Sequence, residues 1–127
     1  MSSYVMIGTS DVEKSNAFYD AIFPTIGWCA HKEYAGGKGY SEGGTGKGLC
    51  ILVYPPFNEK PASAGNGTMI GLMVKSRAEV DAFYEAAMEN GATDEGAPGL
   101  RPHYGPNWYA AYLRDLTGNK IGVVFNG

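Results

Sequence analysis

The segment Ala17-Phe18-Tyr19-Asp20-Ala21 returns sixty-five residues later as Ala82-Phe83-Tyr84-Glu85-Ala86. A near-identical phrase at that interval makes the chain one module used twice, because a unit of this size packs against its own copy to bury a shared core. The surroundings repeat as well. A short apolar run precedes each copy, Val5-Met6-Ile7 and then Met69-Ile70-Gly71-Leu72-Met73-Val74. Cap-type residues, Ser10-Asp11 and Ser76, stand between run and copy, and a glycine follows each, Gly27 and Gly91. Paired modules build a groove where they face each other, so function is expected there.

Composition narrows the class. A chain of 127 residues, 44% of them hydrophobic, has the length and apolar content of one globular domain. No apolar stretch approaches the roughly 18 residues of a membrane span, so no membrane partner is expected. The first residues lack a basic segment leading into a long apolar core, which gives the expectation of no secretory signal and a cytoplasmic protein. Net charge is −3 with both signs interspersed, which offers no basic field for nucleic acid. Cys29 and Cys50 form no C-x-x-C pair and read as two buried thiols packed as small hydrophobes. The clusters Gly36-Gly37-Lys38-Gly39 and Gly43-Gly44-Thr45-Gly46-Lys47-Gly48 lack the order of a phosphate-binding loop and read as tight turns between short strands.

Local patterns give an element order. Tyr4-Val5-Met6-Ile7 predicts a strand over about 3–9. A helix to about 23 follows, capped by Ser10 with Glu13 at capping-box spacing or by Asp11, with Val12, Phe18, Tyr19 and Ile22 inward. Three short strands fit 27–34, 38–43 and 48–54. Module one thus spans about 1–56, a Pro/Gly/Asn-rich linker about 57–66, and module two about 67–127. The second module opens with a strand at 67–74. Ser76 and Glu79 form a capping box, and Val80, Phe83, Tyr84, Ala87 and Met88 line one helix face. Residues 94–107 read as loop because of Pro98, Gly99, Pro102, Gly105 and Pro106. Strands at 108–114 and 119–125 are joined by a hairpin turn at Asp115–Asn119, with Arg114 and Asp115 expected to form an ion pair at its edge. Runs of short strands around two helices make the fold class α+β.

Several phrases go beyond pattern. Val5-Met6-Ile7-Gly8-Thr9-Ser10-Asp11 leading to Phe18-Tyr19, Gly65-Asn66-Gly67-Thr68, Gly99-Leu100-Arg101-Pro102-His103-Tyr104-Gly105-Pro106, Tyr109-Ala110-Ala111-Tyr112, Arg114-Asp115 and Gly118-Asn119-Lys120-Ile121 are similar to the glyoxalase / bleomycin-resistance / extradiol dioxygenase family, the vicinal-oxygen-chelate superfamily. The resemblance covers almost the whole chain. It implies two βαβββ modules forming a cupped half-barrel, commonly paired as a homodimer. It also implies four strand positions for metal ligands, two per module. Here those positions hold Tyr4, Met69, Gly122 and one of Ile51–Val53. A divalent ion needs nitrogen, oxygen or thiolate donors, which a thioether, a glycine and an aliphatic side chain do not supply. The Tyr4 phenol is a single weak candidate donor and cannot hold a site together alone. The expectation is therefore a lost metal site, no cofactor, and loss of the family's Lewis-acid chemistry.

His31, between Ala30 and Lys32, reads as a surface strand residue. His103 lies in the proline- and glycine-held loop Arg101-Pro102-His103-Tyr104 and is the side chain best suited to move a proton near neutral pH, which makes it the candidate for any catalysis. Tyr4, Tyr54, Met69, Arg101, His103, Tyr104, Trp108 and Tyr112 are the candidate ligand-binding residues, aromatic bodies with polar tips. Alternation puts Trp108, Ala110 and Tyr112 on one strand face and Tyr109, Ala111 and Leu113 on the other, without saying which enters the cup. Glu33, Glu42 and Glu95 form no pair suited to acid–base catalysis. The expected function is metal-independent binding of a small apolar or aromatic molecule by a homodimer. The alternatives are a glyoxalase-type lyase or dioxygenase using other site residues, and a dimerisation fold without ligand.

Overall fold

The repeat carries through into the backbone. The computed structural model describes residues 2–34 and 36–127. The first module holds β1 (Tyr4–Gly8), α1 (Val12–Ile22), a 3-10 turn (Phe23–Ile26), β2 (Trp28–Tyr34), β3 (Gly37–Glu42) and β4 (Cys50–Tyr54). The second holds β5 (Met69–Met73), α2 (Arg77–Glu89), β6 (Thr93–Leu100), β7 (Trp108–Arg114) and β8 (Lys120–Asn126). Each module makes a four-stranded sheet, ordered β1-β4-β3-β2 and β5-β8-β7-β6. The opening strand of each lies parallel to the last, with Tyr4 opposite Cys50 and Met69 opposite Lys120, and the other pairs are antiparallel. This is the expected α+β pair of βαβββ modules.

The interval between modules locates their one large difference. First strands begin at Tyr4 and Met69, helices at Val12 and Arg77, and second strands at Trp28 and Thr93, always sixty-five apart. Third strands begin at Gly37 and Trp108, seventy-one apart. The second module therefore carries six more residues between its second strand's start and its third: β6 is one residue longer than β2, and the rest fall in the segment running from Arg101 to Asn107.

Helix starts follow the side-chain chemistry. Asp11, not Ser10, caps α1, accepting from the Lys14 N–H at 3.1 Å. Ser76 accepts from the Glu79 N–H at 3.1 Å, while the Glu79 carboxylate accepts from the Lys75 N–H at 2.7 Å. α1 buries Ser15, Phe18, Tyr19 and Ile22, and Val12 is only half-buried. α2 buries Val80, Phe83 and Ala87, with Tyr84 and Met88 packed partly against the core. α1 packs on the first sheet, α2 on the second, and the helices pack on each other. One core thus runs through both modules, with the Phe23 and Phe83 rings 6.3 Å apart across the join.

A polar knot closes that join. Asp115, buried at the β7–β8 turn, accepts from the N–H groups of Thr117, Gly118 and Asn119 at 2.8–2.9 Å. It also accepts from the Tyr19 hydroxyl at 2.5 Å, and Asn119 Nδ2 donates to the Gly8 carbonyl at 2.8 Å. The expected Arg114–Asp115 pair does not form: Asp115 is consumed by the turn and by Tyr19, and Arg114 pairs with Glu95 and the Gly118 carbonyl.

Three other expectations are corrected. Residues 93–100 are an edge strand rather than loop, because β6 needs only β7 as partner. Its register shifts between Gly96 and Gly99 let Pro98 sit without donating to the ladder. Gly37 and Gly39 lie inside β3 and serve close approach: a Cβ on Gly37 would collide with the Val53 carbonyl, and one on Gly39 would meet the His31 ring at 3.0 Å. Cys29 is exposed; only Cys50 is buried.

Candidate functional site

Burial alternates along β5 and along parts of β4 and β7, and strand geometry sorts the side chains into a helix-facing and an open face. Ile7, Ile51, Val53, Ile70, Leu72, Ala111, Leu113, Ile121 and Val123 belong to the core. Their neighbours in sequence turn to the open faces. On the first sheet these are Tyr4, Met6, Leu52 and Tyr54; on the second, Met69, Met73, Trp108, Tyr112, Lys120 and Gly122. The question left open by alternation is thereby answered: Trp108, Ala110 and Tyr112 look away from α2, while the Tyr109 hydroxyl donates to Asp81 of α2 at 2.6 Å.

The open face of the second sheet carries a groove of about 480 Å³, lined by Met69, Glu95, Arg101, His103, Tyr104, Trp108, Tyr112 and Lys120. That volume suits a small organic ligand. One wall is the inserted segment. It folds as a closed turn, with the Arg101 N–H donating to the Trp108 carbonyl at 2.8 Å and the Tyr104 N–H to the Arg101 carbonyl at 2.9 Å. Its rings pack in series, His103 on Tyr104 at 4.1 Å between centroids and Tyr104 on Trp108 at 5.8 Å. Trp108 Nε1 donates to the Tyr112 hydroxyl at 3.0 Å.

Tyr112 is the floor. It stands in a cross-strand row between Gly96 and Gly122, and its ring spreads over both. A Cβ on Gly122 would come within 3.0 Å of Tyr112 Cε1 and 3.4 Å of the Met69 sulfur. One on Gly96 would meet Arg101 Nη2 at 3.0 Å and Tyr112 Cδ2 at 3.3 Å. The glycines are thus what lets an aromatic ring lie flat across three strands. Two cations flank that ring, Arg101 with Cζ 5.6 Å from the centroid and Lys120 with Nζ 6.0 Å away. Arg101 is braced by its own strand, donating to the Gly99 and Ala97 carbonyls at 2.9 and 2.8 Å.

The groove gathers Met69, Arg101, His103, Tyr104, Trp108 and Tyr112 from the sequence candidates. It leaves out Tyr4 and Tyr54, which stand on the first sheet; Tyr54 borders a separate hollow with Met6, Gly8 and Pro55. It adds Lys120 and Glu95. Alternation from Gly122 points to Lys120, whereas the glycines and proline around Glu95 hid its strand. His103 is exposed, and among the described residues no hydrogen bond joins it to another titratable side chain. His31 is half-buried over Gly39 rather than a plain surface residue, its Nδ1 3.0 Å from Ser41 Oγ.

The profile of the glyoxalase/bleomycin resistance protein/dioxygenase superfamily matches residues 2–123. A solved structure, of a glyoxalase/bleomycin resistance protein from Albidiferax ferrireducens T118, is 36% identical, with a TM-score of 0.87 over 98% of each chain. The chain belongs to the glyoxalase/bleomycin resistance protein/dioxygenase superfamily. A superfamily enzyme from Burkholderia phytofirmans PsJN is 25% identical, with a TM-score of 0.73 over 98% of each chain. A glyoxalase-related enzyme from Fulvimarina pelagi, 20% identical with a TM-score of 0.76, covers 98% of this chain and 86% of its own and shares the fold. None of the curated proteins matches the chain. No helix among the described residues is long and apolar enough to cross a membrane.

The sequence resemblance implies metal-ligand positions at Tyr4, Met69, Gly122 and a position in 51–53. Register fixes the last: Gly122 lies opposite Gly71 as Leu52 lies opposite Met6, so the matching residue is Leu52. The four positions offer a phenol, a thioether, a bare backbone and an isobutyl group. None but the phenol is a donor suited to a divalent ion, and the space beside Gly122 is filled by the Tyr112 ring. Among the described residues no three of His, Cys, Asp and Glu gather as a metal centre.

Proposed function

We propose that this superfamily member is a metal-independent, small-molecule-binding protein that works as a homodimer in the cytoplasm. The observation that carries the reading is the Tyr112 ring lying over Gly122: where the superfamily places a ligand side chain, this chain has a flat aromatic floor. A planar apolar or aromatic molecule stacks on Tyr112 and Trp108, with Arg101, His103 and Tyr104 bounding it on one side and Met69 on the other. Apolar side chains exposed on both sheets support dimerisation. Tyr4 is 65% exposed, Met6 53% and Met73 61%, and β1 and β5 are sheet edges. A second copy laid over these faces covers them and closes the groove, bringing the first-sheet residues Tyr4 and Tyr54 to it. The two free thiols agree with a reducing compartment.

Native mass spectrometry of the purified protein tests the reading in one measurement. The expected species has the mass of two 13.5 kDa chains and carries no divalent ion. A stoichiometric metal whose removal by chelation destabilises the protein would overturn the metal-independent reading. A single-chain mass at micromolar concentration would overturn the dimer.

A further inference from the structure

We infer that the groove selects a planar anion: an aromatic carboxylate whose ring lies on Tyr112 and whose charge is met by Lys120 and Arg101. The inference rests on the small-molecule reading above and adds the ligand's chemical class.

The argument is a count of charge and of unused donors. Two cations border the same ring, at 5.6 and 6.0 Å from its centroid. The groove's one carboxylate, Glu95, is already engaged by Arg114, so it does not neutralise them. Lys120 makes no ion pair and no side-chain hydrogen bond among the described residues, leaving three ammonium donors. Arg101 spends donors on the Gly99 and Ala97 carbonyls, which holds its plane fixed and leaves others for a ligand. Both side chains are half-buried beside aromatic surface, where a charge without a counter-ion loses hydration and a charge-assisted hydrogen bond gains strength. The flat floor sets the shape of the ligand, and the flanking cations set its sign. A cationic ligand would meet two like charges at the edges of the ring on which it must stack.

Isothermal titration calorimetry with 2-naphthoate and its neutral counterpart 2-naphthalenemethanol separates the two ideas. Wild type should bind the acid about ten-fold or more tightly than the alcohol, the scale of one charge-assisted hydrogen bond. Lys120→Met should lower affinity for the acid about ten-fold more than for the alcohol, erasing the preference, while Lys120→Arg restores it. Lys120 makes no structural hydrogen bond, so these variants should fold as wild type. Equal affinity for both compounds, with both lost in Tyr112→Leu, would overturn the anion inference while the groove reading stands. A preference for the acid that Lys120→Met leaves untouched would overturn it too, since the anion would then bind elsewhere. Binding of neither compound at millimolar concentration would overturn both readings.

Discussion

Two tyrosines show how much a single hydroxyl can set. Tyr19 and Tyr40 are fully buried. Burial is the main cause holding the Tyr19 proton on well beyond the ordinary range, with the facing Asp115 carboxylate second. Burial likewise dominates at Tyr40, whose hydroxyl also donates to Asp20 at 3.0 Å. Both raised values favour the neutral phenol in the fold. In the unfolded chain each phenol ionises at about pH 10, so above that pH the unfolded state holds fewer protons than the folded one and stability falls. Stability from these groups is therefore full below about pH 10 and declines above it, by up to about 1.4 kcal/mol per pH unit for each tyrosine. Urea midpoints taken from pH 8 to 11.5 should be level and then drop. Tyr40→Phe should be less stable at pH 8 but show a shallower alkaline slope, and an unchanged slope would show that Tyr40 is not responsible.

At the scale of elements, the segment between β6 and β7 distinguishes the modules. It gives the groove a wall that the first sheet lacks, yet its internal bonds are turn-like and its rings pack mostly on one another. Replacing 102–107 with Asn-Gly should therefore remove 2-naphthoate binding in calorimetry while changing the urea-derived stability by only about 1 kcal/mol, because shortening a surface loop alters closure entropy little. Much of this was legible beforehand. The strand–cap–helix opening of each module follows from local rules, and both helices begin at the residue those rules allow. β6 was not legible, because Thr93-Asp94-Glu95-Gly96-Ala97-Pro98-Gly99-Leu100 has turn composition and is a strand only through what β7 offers it. Aromatic character says nothing about which sheet a residue joins, so the sequence does not separate Tyr4 and Tyr54 of the first sheet from Trp108 of the second. Lys120 is hidden for the converse reason: a lysine opening a strand reads as solvated, and only its alternation with Gly122 turns it toward the groove.

For the molecule as a whole, the tie between modules matters more than either module. Tyr19 of α1 is bound to Asp115 of the β7–β8 turn, Asn119 of that turn is bound to Gly8 of β1, and Phe23 meets Phe83. The sequence repeat invites a picture of two units that fold independently. The knot denies it, since neither unit can open without leaving the other's buried polar atoms unmatched. The chain should accordingly behave as one cooperative system. It carries a built-in pair of reporters, Trp28 packed against the first module's core and Trp108 in the second module's groove. Single-tryptophan variants Trp28→Phe and Trp108→Phe should each give one fluorescence transition in urea that coincides with that variant's circular-dichroism transition. Asp115→Asn removes the carboxylate at the centre of the tie, and in that background the two reporters should part, turning a repeat hidden in the folded protein into two visible unfolding steps.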